Sequence, residues 1–272
     1  SIRGCLANTE PDHGTNLTRV GEEFYRNPQF RRNVQARLEG NEWVLKGQKS
    51  AWISGGSIAT HAFISGGVDP SEGLKGGSFF FCPLDLDGVT CGKPLEKVGQ
   101  RDLNQGEIYL DDVRIPENYL LVDVDALIPT QAVFGAYAYS NMGSLATGLA
   151  RAAFEEALEY AKIRVQGGKP IIEHASIKQR LFRMFSKIET SRAISRLAMQ
   201  ATSNFYDTEL MTIPLIEYGA ISKVTCTRAA YEVADEAVQI LGSNGLAREY
   251  ITEKLFRDAR ATLIEDGMNE MQ

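Results

Sequence analysis

The chain has 272 residues, 43% of them hydrophobic, which is enough to bury one large core or two ordinary ones. Its formal net charge of −6 and its isoelectric point near 5.3 argue against a nucleic-acid partner, because no basic stripe is present. No apolar run approaches the ~20 residues of a membrane span. The four cysteines and three histidines lack the spacing of a metal site, so no metal is expected.

The first 127 residues are rich in glycine and in residue types that favour strands. A hairpin is expected at 37–45, where Gly40 and Asn41 supply the turn. Further strands are expected at 48–54, 59–65, 77–84, 89–95 and 106–113. Many short strands with glycine turns and no helical runs predict an antiparallel β-barrel or β-sandwich domain over residues 1–127.

From residue 129 onward the hydrophobic pattern takes the period of an α-helix. Helices are expected from 129 to about 165, from about His174, from about Pro214 to Leu241, and from about 248 to 263. Long helices with short connections predict an antiparallel four-helix bundle over residues 128–272. Strands followed by helices make the predicted fold class α+β and multidomain.

The segment 263–272 ends the chain with two adjacent carboxylates, Glu265 and Asp266, followed by Gly267. Glycine tolerates the left-handed backbone that commonly ends a helix. A carboxylate on such a turn can point away from the helix axis, as a general base must. The simpler interpretation is an acidic helix end in water.

Several motifs occur in a fixed order along the chain. They are 9–16 (TEPDHGTN), 52–56 (WISGG), 97–101 (KVGQR), 113–116 (VRIP), 164–174, 239–245 (QILGSNG) and 257–259 (RDA). Together they resemble the signatures of the flavin-dependent acyl-CoA dehydrogenases, and the resemblance covers essentially the whole chain. The family fold implied is a helical domain, a β-barrel and a four-helix bundle. The chain is expected to lack the N-terminal helical domain and to be truncated at its last helix.

The resemblance implies an FAD-dependent α,β-dehydrogenation of an acyl-CoA thioester, in which a base removes the α proton and flavin N5 takes a hydride. The family's YEG glutamate matches Asp266, which is shorter by one methylene, and Glu265 stands at the tyrosine position. The region 137–140, where other members carry their base, has no carboxylate. Asp266 is therefore the predicted base, with Glu265 or neither as alternatives. A dry pocket would raise its pKa, and its N–H would bind the thioester carbonyl.

The resemblance also implies which residues bind the flavin. They are Thr9, Gly14, Thr15, Trp52, Ser54, Arg164, Gln166, Gln239, Gly242, Gly245, Met268 and Glu270. Simpler roles stay open for several of them: Trp52 could fill the barrel core, Arg164 could be a solvated helix end, and the glycines could cap a helix. Met268 replaces the family's threonine, which removes one hydroxyl donor to the flavin.

The partners implied are an acyl-CoA substrate, an electron-transfer flavoprotein or a similar acceptor, and further copies of the chain in a dimer of dimers. The cytoplasm is the expected location, or the mitochondrial matrix in a eukaryote. One alternative keeps the fold and flavin but changes the reaction to a nitroalkane-type oxidase, a 1,4-dehydrogenation of a cyclic thioester, or a desulfinase. Another is an oligomeric scaffold without turnover.

Overall fold

A computed structural model describes residues 1–203 and 215–271. Its contacts divide the chain into two compact units. The first unit comprises Ser1–Lys97 and Arg101–Ala132, and the second comprises Val98–Gln100 and the described residues after 132. The division falls inside the first α-helix, α1 (Leu127–Ile163).

The first unit is built on one eight-stranded sheet. Its strands are β1 (Gly4–Ala7), β2 (Gln35–Glu39), β3 (Glu42–Ser54), β4 (His61–Gly67), β5 (Gly77–Pro83), β6 (Val89–Cys91), β7 (Gln105–Pro116) and β8 (Leu120–Val122). They pair in the order β6-β7-β3-β2-β4-β5-β8, and β1 lies beside β4. The predicted β2–β3 hairpin is present, with Gly40 in the left-handed region at φ +67°.

The sheet differs from the prediction in being mixed rather than wholly antiparallel. β4 runs parallel to β1 and to β2, and the second of these pairings consists of Gln35 opposite Gly67. Side chains alternate between faces in both kinds of strand, so the pattern that predicted the strands could not reveal their direction.

The core of the first unit comes from the inward-facing positions of the strands. Trp43 on β3 packs edge-to-face against Phe80 on β5, with ring centroids 5.3 Å apart. β7 alternates on either side of Asp111 and Asp112, which are both exposed and where Asp112 has φ +51°, so that Ile108 and Ile115 are both fully buried while Tyr109 faces outward. Within each half of the strand the period of two places one face in the core, as the sequence predicts.

The second unit contains α1 from residue 133, α2 (Ala175–Ser203), α3 (Leu215–Leu241) and α4 (Thr252–Thr262). A two-stranded ribbon of β9 (Val165–Gln166) and β10 (Lys169–Pro170) lies between α1 and α2. The predicted α+β fold class, with strands followed by helices, is confirmed. The predicted start of the third helix at Pro214 lies outside the described residues.

Small side chains line the core of the helical unit. The fully buried alanines on α1 and α3 are Ala146, Ala150, Ala153, Ala157, Ala161, Ala230, Ala234 and Ala237. Their spacing of three to four residues puts each row on one helix face, where alanine allows the helices to approach closely. This packing is the physical reason for the alanine-rich composition of the second half.

Within residues 1–203 and 215–271, no helix is both long and apolar enough to cross a membrane. In the same ranges no three or more His, Cys, Asp or Glu side chains converge as a metal site would require. Burial raises the pKa of Cys5 to about 11 and that of Cys82 to about 12. These thiols are therefore protonated, and poor nucleophiles, at neutral pH.

Candidate active site

The end of β3 presents an exposed indole and an exposed hydroxyl on the same face. Trp52 is 58% exposed, Ile53 is buried and Ser54 is exposed, which is the alternation of a strand with one free face. The carbonyl of Thr9 accepts a hydrogen bond from the N–H of Ser50 at 3.0 Å. The structure thus brings Thr9 to the strand that carries Trp52 and Ser54.

The alternative that Trp52 fills the barrel core is wrong. The tryptophan in that core is Trp43, which is 8% exposed and packs against Phe80. A large aromatic side chain is normally buried in a soluble domain, so an exposed indole on a regular strand is available to a ligand or partner.

Gly14 and Thr15 follow a tight turn in which Glu10 and His13 exchange backbone hydrogen bonds of 2.8 and 3.2 Å. The N–H of Gly14 donates to Asn16 Oδ1 at 2.9 Å. Apart from its own chain neighbours, no atom lies within 4 Å of the Cβ position at Gly14, so the bare backbone faces open space.

Gln105, at the start of β7, orients Ser54 and was not singled out by the sequence. Its Nε2 donates to the carbonyl of Trp52 at 3.2 Å and to Ser54 Oγ at 3.3 Å. Lys97 Nζ donates to Gln105 Oε1 at 2.7 Å, which fixes the direction of the amide. Lys97 belongs to the motif at 97–101, so a polar residue close to that motif, such as Gln105, could have been considered as its partner from the sequence.

A buried ion pair lies next to Thr9. Lys49 Nζ is 2.7 Å from Glu10 Oε1, and neither side chain has any exposed surface. Glu10 also accepts the backbone N–H groups of Asn33 at 2.6 Å and Val34 at 3.1 Å. Burial outweighs the attraction of Glu10 and lowers the pKa of Lys49 to about 8. The pair ties the segment that carries Thr9 to β3.

In the second unit, residues 265–270 form a loop after α4, which we call the carboxylate loop. Asp266 has φ +53° and Gly267 has φ +98°, so a non-glycine residue is held in the left-handed region. Asp266 retains exposed surface, yet burial among surrounding protein atoms raises the pKa of its carboxyl, and Lys223 lowers it in part.

Three contacts anchor the carboxylate loop, one on each side of Asp266 and one further along. Gln100 Nε2 donates to Glu265 Oε2 at 2.9 Å, and Lys223 Nζ donates to the carbonyl of Gly267. Asn269 Nδ2 donates to Thr227 Oγ1 at 2.9 Å. Lys223 and Thr227 are one turn apart on α3, so both project from one helix face. These anchors were missed because they come from segments far away in the sequence.

The last two candidates on the carboxylate loop, Met268 and Glu270, are both exposed. Glu270 lies 3.9 Å from Arg228. Since Met268 presents a thioether, it can contribute apolar contact but no hydrogen-bond donor.

The other candidates of the second unit lie where α1 and α3 end. They are Arg164, Gln166, Gln239, Gly242 and Gly245, which we call the helix-end cluster. Asn244, inside this turn, donates to the hydroxyl of Tyr160 on α1 at 3.0 Å and so joins the two ends. Gln239 is 16 residues beyond Lys223 on α3, so at 1.5 Å per residue the helix-end cluster lies about 24 Å from the carboxylate loop.

Within the helix-end cluster the two glycines have structural roles of their own. Gly242 adopts φ +64° just after α3, as a capping glycine does. A Cβ at the buried Gly245 would lie 2.5 Å from the carbonyl oxygen of Val238. Arg164, Gln166 and Gln239 are exposed, so their side chains can reach a ligand outside the unit.

Two domains of one family match the chain. Residues 5–113 match the acyl-CoA dehydrogenase middle domain, and residues 140–272 match the acyl-CoA dehydrogenase C-terminal domain. The chain belongs to the acyl-CoA dehydrogenase family.

Individual members of the family are similar over most of the chain. The mitochondrial short-chain specific acyl-CoA dehydrogenase of Homo sapiens is 30% identical over 99% of the chain and 60% of its own length. Cyclohexane-1-carbonyl-CoA dehydrogenase of Geobacter metallireducens is 30% identical over 86% of the chain and 59% of its own length. The structure of butyryl-CoA dehydrogenase from Megasphaera elsdenii superposes with a TM-score of 0.86 at 28% identity, over 99% of the chain and 65% of that structure. The chain thus spans about 60% of the length of the curated relatives it matches.

The exposed candidate residues of the first unit have the chemistry that a flavin ring requires. An apolar ring surface at Trp52 and a hydroxyl at Ser54 lie side by side, and a half-buried threonine is attached to the same strand. An aromatic surface with adjacent hydrogen-bond groups is what a planar heteroaromatic ring needs.

Trp52 gives a direct test of flavin binding by the chain. The chain has two tryptophans, of which Trp43 is buried and Trp52 exposed. Iodide should therefore quench the emission of Trp52 selectively, and added FAD should protect it. Trp52→Phe should remove the quenched component and weaken FAD binding several-fold, since the smaller ring offers less contact. Trp43→Phe is the matched control. Unchanged iodide quenching in the presence of saturating FAD would place the flavin elsewhere.

Proposed function

We propose that the chain is the flavin- and thioester-binding part of an FAD-dependent acyl-CoA dehydrogenase in which Asp266 removes the α proton. The supporting observation is Asp266 itself: a left-handed residue on an anchored loop, with exposed surface and a raised carboxyl pKa. Glu265, which accepts a hydrogen bond from Gln100, precedes the left-handed turn and is the weaker candidate.

In this proposal the side chain and the backbone of Asp266 have separate roles in one desaturation. The Asp266 carboxylate accepts the α proton, and its raised pKa brings the acid closer to the operating pH, where proton transfer is most efficient. The Asp266 N–H donates to the thioester oxygen and stabilises the negative charge that develops there. FAD, when bound, supplies the two-electron acceptor for the hydride lost from the β carbon.

The flavin would be held by two sets of residues. In the first unit Thr9, Trp52 and Ser54 would contact the ring, with Gly14 and Thr15 near the phosphates. The helix-end cluster would bind the flavin of a second copy of the chain, which supports a homo-oligomer. Its exposed Arg164, Gln166 and Gln239 suit such a contact. Met268 and Glu270 would border the flavin from the carboxylate loop.

The substrate proposed is a short, branched or alicyclic acyl-CoA. Two similar proteins are named for a short-chain and a cyclohexane-carbonyl thioester. Aspartate is one methylene shorter than glutamate, so the acyl group must approach the loop more closely, and a small displacement is costly in proton transfer. The electrons would then pass to an electron-transfer flavoprotein or a similar acceptor.

Anaerobic titration of the full-length flavoprotein with linear, branched and cyclic acyl-CoA thioesters tests the proposal. At least one thioester should bleach the visible flavin absorption and yield the α,β-unsaturated product. Peroxide release in air without an electron carrier would instead favour the oxidase alternative. Retained flavin with no bleaching by any thioester would contradict the dehydrogenase assignment.

The length of the acid at position 266 should affect the acyl preference. Asp266→Glu is expected to keep activity within about 100-fold of the wild type, because the carboxylate remains but its reach changes by one methylene. The ranking of straight and cyclic thioesters should change. Rates of bleaching across the same panel measure both effects. An unchanged ranking would show that residue 266 does not contact the acyl group.

A further inference from the structure

Lys223 on α3 is a fully buried lysine beside the carboxylate loop. Its side-chain nitrogen donates to the carbonyl of Gly267, the residue that follows Asp266. A buried ammonium group is costly unless it is hydrogen-bonded and compensated by negative charge. The role of Lys223 should therefore involve the carboxylate loop, which it contacts.

The charges around Lys223 come from the same loop. Asp266, Glu265 and Glu270 each raise the pKa of Lys223, while burial, the larger effect, lowers it to about 8. Arg228, also on α3, lies 3.9 Å from Glu270 and partly offsets the charge of that carboxylate. Lys223 is therefore largely protonated at neutral pH, and the carboxylate that acts on it most strongly is that of Asp266.

The hydrogen bond of Lys223 also bears on the backbone of Asp266. A side chain with a Cβ is less favoured than glycine in the left-handed region, which aspartate tolerates better than most residues, so contacts on both sides of Asp266 help to hold it at φ +53°. On the C-terminal side Lys223 holds the carbonyl of Gly267, and on the N-terminal side Gln100 holds Glu265.

We propose that Lys223 is a positioning residue for Asp266: it holds the carboxylate loop through the carbonyl of Gly267 and supplies the buried positive charge that keeps the Asp266 carboxylate ionised. This inference rests on the proposed function. It adds two points to that function. Lys223 of α3 is the charged partner of Asp266, and both the backbone geometry and the ionisation of Asp266 depend on the Lys223 side chain.

Two substitutions separate the charge from the hydrogen bond. Lys223→Gln keeps a donor for the loop and removes the charge, whereas Lys223→Met removes both. Thr227→Val is the matched control, because it removes the neighbouring anchor of the same loop and changes no charge. Flavin content and circular dichroism identify the variants that fold.

The pH profile of flavin bleaching by a reactive acyl-CoA is the first measurement. Removal of an adjacent opposite charge raises the pKa of a carboxylate by about 1 unit or more. Lys223→Gln should therefore move the acid limb of the profile to higher pH by that amount. Lys223→Met should do the same and also lower the rate at its optimum. Thr227→Val should lower the rate without moving the acid limb. An acid limb that stays in place in Lys223→Gln would overturn the inference.

A second measurement is independent of turnover. Carbon-13 NMR titration of the aspartate carboxyls, with Asp266→Asn to assign the signal, gives the pKa of Asp266 directly. The value should rise in Lys223→Gln and not in Thr227→Val. If no thioester bleaches the wild type, the proposed function fails while this titration still decides the role of Lys223. An unchanged Asp266 titration in Lys223→Gln contradicts the inference in either case.

Discussion

Asp266→Asn is expected to leave the flavin bound and to lower the rate of flavin bleaching by an acyl-CoA by about 100- to 10,000-fold, the usual contribution of a general base. The amide keeps the size of the side chain and its backbone N–H, but it cannot accept the α proton. Stopped-flow absorbance under anaerobic conditions measures the loss. Flavin content, measured after gel filtration, should match that of the wild type.

Glu265→Gln is the matched control, because it neutralises the adjacent carboxylate while an amide can still pair with Gln100. Its bleaching rate should remain close to that of the wild type. In the wild type the rate should fall as the pH is lowered through the pKa of Asp266, which lies above the ordinary aspartate value. Normal bleaching in Asp266→Asn, or loss of bleaching in Glu265→Gln, would contradict the assignment of the base.

Lys49→Met is expected to give the largest loss of stability. It leaves the fully buried Glu10 carboxylate without its cation, and breaking one side of a buried ion pair costs about 3–5 kcal/mol. The segment after Glu10 includes Gly14 and Thr15, so flavin affinity should fall with stability. Urea denaturation of the flavin-free and flavin-loaded protein measures the two effects separately.

Lys46→Met is the control for Lys49→Met. Lys46 lies on the same strand and pairs with Asp111 at 3.1 Å and Asp112 at 3.3 Å, but all three side chains are exposed. Exposed pairs contribute little because water and salt screen them. Adding Glu10→Gln to Lys49→Met should recover part of the loss, since the unpaired charge is removed. Equal stability of the Lys46 and Lys49 variants would show that the buried pair does not hold the domain together.

Much of the fold could be predicted because its signals are local. Alternation located β3 and β7, glycine placed the β2–β3 turn, and a period of 3.6 located the helices to within a few residues. The parallel partners of β4 could not be predicted, because pairing direction depends on which distant segments meet. The short β1 carries too few residues for a pattern.

The candidate site was likewise predictable only in part from the sequence. The motif that contains Trp52 and Ser54 was recognisable from sequence, but the exposure of Trp52 was not, because an apolar ring on a strand is more often buried. Gln105 and Lys223 were missed altogether. Each acts through a hydrogen bond to a residue that is tens of positions away in the chain.

By itself the sequence determined the order of strands and helices, the family signatures, and an acid followed by glycine near the end of the chain. Local backbone preferences and side-chain periodicity are sufficient for these features. Only the tertiary structure decided that Asp266 adopts a left-handed conformation, that a buried lysine from α3 contacts its loop, and that burial raises its pKa. Burial and charge at one carboxyl group depend on segments that folding alone brings together.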